Sequence, residues 1–147
     1  MFYKLLFFGL LLAAALFAGC NCCKRATQKS VPYTPTSGYF VKNTFRPGLH
    51  ELKIDSQADF DAVFGVGRTM ANRPTVIDFS VQFAIAAVAE ETAFSTIISP
   101  DSFVETDDTL RLTYKIEQGD KQSYTVRPFL LLAVSRKHEK EVRYKRL

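Results

Sequence analysis

Residues 83–89 (FAIAAVA) and 129–134 (FLLLAV) are apolar without a break, whereas residues 110–117 (LRLTYKIE) alternate apolar with polar. A strand turns successive side chains to opposite faces. An unbroken apolar run therefore needs cover on both sides, and an alternating run needs it on one. The chain must build two central strands covered twice and one strand with a wet face. That requirement points to a β-rich domain with material stacked on both sides of a sheet.

The remaining segments fit this demand. Of the residues, 47% are hydrophobic and 23% charged, and the aromatics are 13 Phe and 6 Tyr with no Trp. Phe at this density suits a β core. Residues 39–41 read as an edge strand, Pro47-Gly48 as a turn, and residues 49–54 (LHELKI) as a strand with Leu52 and Ile54 inward. One helix follows. Ser56 is its N-cap with Asp59 as the capping-box acid, Phe60, Val63 and Phe64 share a face, and Gly65 ends it. Gly65 and Gly67 are expected at positive φ, and no Gly-Lys-Ser/Thr follows to make their Gly-x-Gly a phosphate loop. Residues 76–79 lead into a strand over 82–90, and residues 94–104 form a strand that carries a bulge or bend near Pro100. Residues 105–109 (ETDDT) and 118–121 (QGDK) read as turns, and Tyr124 and Val126 belong to a further strand that Pro128 breaks. Residues 140–146 place Val142 and Tyr144 on one side and bases on the other. The expected class is α+β: a mostly antiparallel twisted sheet or half-open barrel, with the short helix 57–64 packed on it. The basic last strand is expected at an edge, guarded by its charge.

The N-terminus has its own logic. After Lys4, residues 5–18 are uninterruptedly apolar, short for a membrane span and suited to a signal-peptide core. Phe17-Ala18-Gly19-Cys20 resembles the bacterial lipobox, with Phe17 where Leu is usual. The resemblance implies removal of residues 1–19 and lipid attachment at Cys20, hence a protein held in the bacterial envelope, periplasmic or surface-exposed. Cys22 and Cys23 complete the chain's thiols. Further acylation or an intermolecular disulfide suits them better than a metal, because a closed zinc site needs four ligands and the histidines lie far off. Residues 20–38, polar and interrupted by Pro32 and Pro35, read as the lipidated cysteine and a flexible tether. Lys24, Arg25 and Lys29 beside the anchor either touch anionic head groups or simply solvate it. Residues 39–147 form the single domain.

From Arg136 to the end there are six bases and two acids, a balance of +4, which is the net charge of the whole chain. The basic character therefore belongs to one edge. A secretory leader argues against nucleic acid as its partner; an anionic surface or an acidic protein face suits it better. No catalytic motif appears. There is no Gly-x-Ser-x-Gly, His50 and His138 read as surface residues, and Glu90 and Glu91 point to opposite faces unless a turn holds them. The expectation is a non-enzyme with no cofactor and no metal.

Residues 50–144 also resemble the C-terminal domain of the protease-complex subunit PrcB. The resemblance rests on the helix at 56–64, Ile77-Asp78-Phe79-Ser80 before Phe83-Ala84-Ile85-Ala86, Asp107-Asp108-Thr109-Leu110, and Arg127-Pro128-Phe129. Thr92-Ala93-Phe94 stands where that family often has Gly-Gly-Tyr. The resemblance implies a non-catalytic, protein-binding lipoprotein that assists or restrains a protease. The other expectation is a structural envelope lipoprotein docked into a larger assembly by a sheet edge. Candidate partner contacts are Thr92, Ala93 and Phe94 on one loop, and Arg143, Lys145 and Arg146 on the last strand. An apolar groove near 91–95 would favour the first role, a flat edge at 40–45 or 140–146 the second.

Overall fold

The computed structural model describes residues 28–67 and 73–147. Its elements are β1 (Lys29–Ser30), β2 (Thr34–Pro35), β3 (Tyr39–Val41), β4 (His50–Ile54), α1 (Gln57–Val63) and β5 (Phe64–Val66). There follow β6 (Gln82–Val88), β7 (Thr92–Glu105), β8 (Thr109–Val126), β9 (Phe129–Ser135) and, after a short 3-10 turn, β10 (Glu141–Arg146).

One pairing rule organises the second half of the chain. In the β6–β9 ladder Gln82 faces Ser135 and Val88 faces Phe129; in the β7–β8 ladder Thr92 faces Val126 and Glu105 faces Leu110. Between the ladders, Ala89 N–H donates to Pro128 O at 2.8 Å. Residues 82–135 are thus a single long hairpin, turned at 106–108 and folded in half at 89–91 and 127–128. Folding it in half sets two sheets face to face: β1-β7-β8-β10 and β2-β9-β6-β4. Phe83, Ile85 and Leu132 meet Phe103, Leu110 and Leu112 between them. On the far face of the second sheet, Ala84, Ala86 and Leu131 lie under Phe60, Val63 and Phe64 of the helical segment. The two unbroken apolar runs are therefore covered twice, and β8 shows Arg111 and Lys115 to water. The sheets are antiparallel apart from the parallel β8–β10 pair, and neither closes into a barrel.

The sides of the sandwich are closed by different means. Along β4 and β10, Tyr144 Oη donates to Leu52 O at 2.5 Å and Tyr114 Oη to Glu51 Oε1 at 2.7 Å. Burial first, and the Glu51 carboxylate second, push both phenols above their usual range. On the opposite side, residues 28–36 run from one sheet to the other. β1 pairs with β7, Val31 enters the core at 1% exposure, and β2 pairs with β9. This corrects the expected tether: within 20–38, the part from 28 to 36 is a strap. Its backbone satisfies edge groups of β7 and β9, and Val31 is the apolar plug that makes docking favourable. Cys20, Cys22, Cys23 and the leader lie outside the described residues.

Local expectations fare unevenly. Ser56 Oγ accepts from Asp59 N–H at 3.1 Å, as a capping residue should. The helix, however, ends at Val63, and Phe64 already opens β5. Gly65 and Gly67 do not have positive φ; Gly38 and Gly48 do. Gly65 is small for another reason, since a Cβ there would lie 2.4 Å from the Phe40 ring. Residues 76–79 are not strand. Asp78 holds a turn by accepting from Ser80 N–H and Oγ, at 2.9 and 2.6 Å. Residues 118–121 do not reverse the chain. They belong to β8, where the ladder slips: from Phe94 to Thr92 on β7, the partner runs from Lys121 to Val126. Gly119-Asp120 marks an irregularity that a bulge absorbs.

Candidate binding cleft at the bend of the hairpin

Where the long hairpin folds, the backbone of Ala89 and the loop after β3 expose carbonyls that no strand partner reaches. Arg127 answers them. Its Nε donates to Ala89 O at 3.3 Å, Nη1 to Phe45 O at 2.8 Å, and Nη2 to Arg46 O. The guanidinium also lies over the Phe45 ring, 5.1 Å from its centroid. His50 meets the same ring edge-on at 5.0 Å, and its Nε2–H donates to Pro47 O at 2.8 Å. The planar fork of one arginine thus ties three segments together. Pro128 after it can offer no N–H and is buried.

This tie leaves an open cleft of about 740 Å³. Phe40, Phe45 and Phe129 supply apolar walls, and Glu90, Glu91 and Arg127 supply charge. Glu90 and Glu91 lie in the bend between β6 and β7, so the turn that would bring both to one site is present. Glu91 accepts from Thr125 Oγ1, and Glu90 has no hydrogen-bond or ion-pair partner among the described residues. Phe40 is 48% exposed. The cleft therefore offers an aromatic surface, an acidic rim and one uncommitted carboxylate. That set suits a segment bearing an apolar or aromatic side chain beside a base.

Thr92, Ala93 and Phe94 follow the bend directly. Thr92 Oγ1 accepts from Phe94 N–H at 3.2 Å, and Phe94 is 39% exposed at the start of the slipped ladder. Arg143 and Lys145 sit elsewhere, opposite Arg111 and Thr113 on β8. Arg146 faces Tyr114 in register, on the other side of the strand. The two groups of candidate contacts stand toward opposite ends of the β7–β8 ladder and are not one site. His138 is not a surface residue either: its side chain is 12% exposed, and Nδ1 lies 3.1 Å from Glu105 Oε2. Lys140 Nζ, 2.6 Å from Glu105 Oε1, and then His138 hold the Glu105 carboxyl below its usual range.

Sequence reading missed the role of Arg127 and the convergence of Glu90 with Glu91. The signal for the second was the pair's position just beyond an unbroken apolar run, where a strand must end. Among the described residues no group of three His, Cys, Asp or Glu side chains is disposed around a metal-sized gap. Comparison with family models, with curated proteins and with solved structures finds no match to this chain.

Proposed function

We propose that this chain is a lipid-anchored, non-catalytic binding module of the bacterial envelope, and that the cleft at the hairpin bend receives a protein partner. The resemblance to PrcB makes a protease complex the partner class, with the module as accessory or inhibitor. The observation that carries the reading is the cleft itself: aromatic walls, the uncommitted Glu90, and a pinned rather than mobile frame through Arg127. A preformed, partly apolar cleft loses little conformational entropy on binding.

The sheet-edge alternative has less support. Residues 40–45 are not a flat free edge, because β3 pairs with β5 and the chain turns after it. β10 is an edge, yet within six residues it carries Glu141, Arg143, Lys145 and Arg146, the charge pattern that blocks strand addition.

The test is site-specific photo-crosslinking of the full chain in its native envelope, with the reactive group at position 90 or at position 141. A protease or protease subunit captured from 90 and not from 141 supports the reading. Capture from 141 alone, by an envelope-assembly protein, would sink it.

A further inference from the structure

We infer that the outer face of the β1-β7-β8-β10 sheet, near the 106–108 turn, rests on an anionic phospholipid surface. The inference depends on the anchor at Cys20 proposed above and adds the face that meets the bilayer.

Pairing register sets out this face. Ser30, Val104, Arg111 and Arg143 lie in one cross-strand row, and Ser102, Thr113 and Lys145 in the next. Leu110 and Leu112, on either side of Arg111, are fully buried, so the Arg111 row points outward. Arg111 and Arg143 are then directly opposite each other on neighbouring strands. Like charges in that relation repel unless an anion sits between or over them. No such anion comes from the fold. Among the described residues Arg111 and Lys145 have no ion-pair partner, and Arg143 reaches only Glu141, at 3.4 Å, with both side chains about two-thirds exposed (67% and 68%).

Other bases near this end of the sandwich are treated differently. Lys53 is paired with Asp55 and Glu139, Arg136 with Glu139, and Lys140 and His138 with Glu105. On the face itself Lys115, further from the turn, is paired with Asp101 at 2.9 Å, so the bases left without a close acidic partner are those at the turn end: Arg111, Arg143 and Lys145.

The route of the chain supplies the anion. β1 is the outer strand of this same sheet and pairs at Val104 and Glu105, next to the turn. From Gln28 back to Cys20 there are eight peptide units, at most about 28 Å of chain. The strand β7, with its 14 residues, spans about 46 Å. A lipid on Cys20 therefore holds the turn end close to the bilayer and leaves the bend, with its cleft, at the far end. Head-group phosphates are then the nearest dense source of anions for Arg111, Arg143 and Lys145. Arginine pairs suit phosphate, which accepts two N–H donors at once.

The test uses the full chain, expressed with its leader, carrying Cys22→Ser and Cys23→Ser, and a fluorophore on Ser102→Cys or on Glu90→Cys. Mass analysis of the N-terminal peptide reports acylation at Cys20 separately from orientation. The chain is placed in vesicles of phosphatidylcholine, with or without phosphatidylglycerol, and quenching by spin-labelled head groups is read. Expected is strong quenching at 102 and little at 90 in the anionic vesicles. The 102 signal should be lost in about 1 M salt, where screening falls to about 3 Å, and lost in the Arg111→Gln, Arg143→Gln chain. Equal quenching at both positions of an acylated chain would overturn the inference while the anchor stands. So would quenching at 102 that ignores lipid charge, which shows that the tether alone, and not the bases, brings this face to the bilayer. An unmodified Cys20 removes the anchor and the inference with it.

Discussion

The two halves of the long hairpin share one ladder and meet opposite fates. In the β6–β9 half every residue from Phe83 to Val88 is fully buried, and the pairing runs without a slip. In the β7–β8 half the ladder slips three times, Ile97 is 62% exposed, and the outer face is open to water at Arg111, Lys115 and Glu117. Antiparallel pairing alone does not distinguish them. The difference lies in what covers each: a second sheet and a helical layer for the inner half, a single sheet for the outer. Register is held tightly where a slip would turn apolar side chains to water, and loosely where it would not.

Substitutions can break that contrast. Leu132→Ala in the inner half should cost about 2–5 kcal/mol, through lost transfer energy and a cavity. Ile97→Ala in the outer half should stay within about 0.5 kcal/mol. Urea unfolding of both chains compares them, and similar losses would mean that the outer half has hidden cover. Next in size is the hinge between the halves. Arg127→Ala strands three carbonyls and should cost about 2 kcal/mol, with Arg127→Lys recovering only part, since an ammonium cannot fork. If Arg127→Lys matches the parent, the fork does not pin the bend.

Smaller effects sharpen the comparison at its seams. Tyr114→Phe should cost about 1 kcal/mol at neutral pH by removing the bond to Glu51. The Tyr114 phenol has its pKa raised on folding from an ordinary 10.0, so its contribution is present below pH 10 and is lost as pH rises through the folded value. The parent should therefore weaken in strong alkali more steeply than Tyr114→Phe does, as followed by circular dichroism. Glu105→Gln should have the least effect. Its carboxyl is held below the ordinary 4.5, so its contribution is present above that value and fades as pH falls through the folded one. The Gln chain should show a shallower acid limb in unfolding experiments.

What the sequence made legible follows the same divide. Residues 83–89 and 129–134 declared their double cover because burial on both faces removes every polar residue. Ser56 and Asp59 declared the helix start because capping chemistry is local. Pro100 correctly marked a bulge, and the Asp107-Asp108 turn lies about midway between the two apolar runs, the one trace of the folded hairpin. Residues 118–121 misled because Gly-Asp suits a bulge and a reversal alike, and only the partner strand decides. Val31 was hidden in a polar stretch, since one valine has no period. The cleft was legible least of all. Arg127, Glu90 and Phe40 come together only after the hairpin folds, across more than eighty residues of chain in the case of Phe45 and Arg127.

The strap has a kinetic consequence. Residues 28–36 are made first among those described, yet their partners Phe103 and Leu131 are synthesised far later, and the Thr36–Leu131 contact spans 95 positions. Contacts of such sequence separation close slowly and late. The segment that joins the sheets is therefore the last to settle, and until it does the edges of β7 and β9 that it covers stay open. A partly folded chain with open strand edges is one that mispairs, so the strap guards the finished sandwich against a hazard that it cannot prevent while the hairpin is still forming.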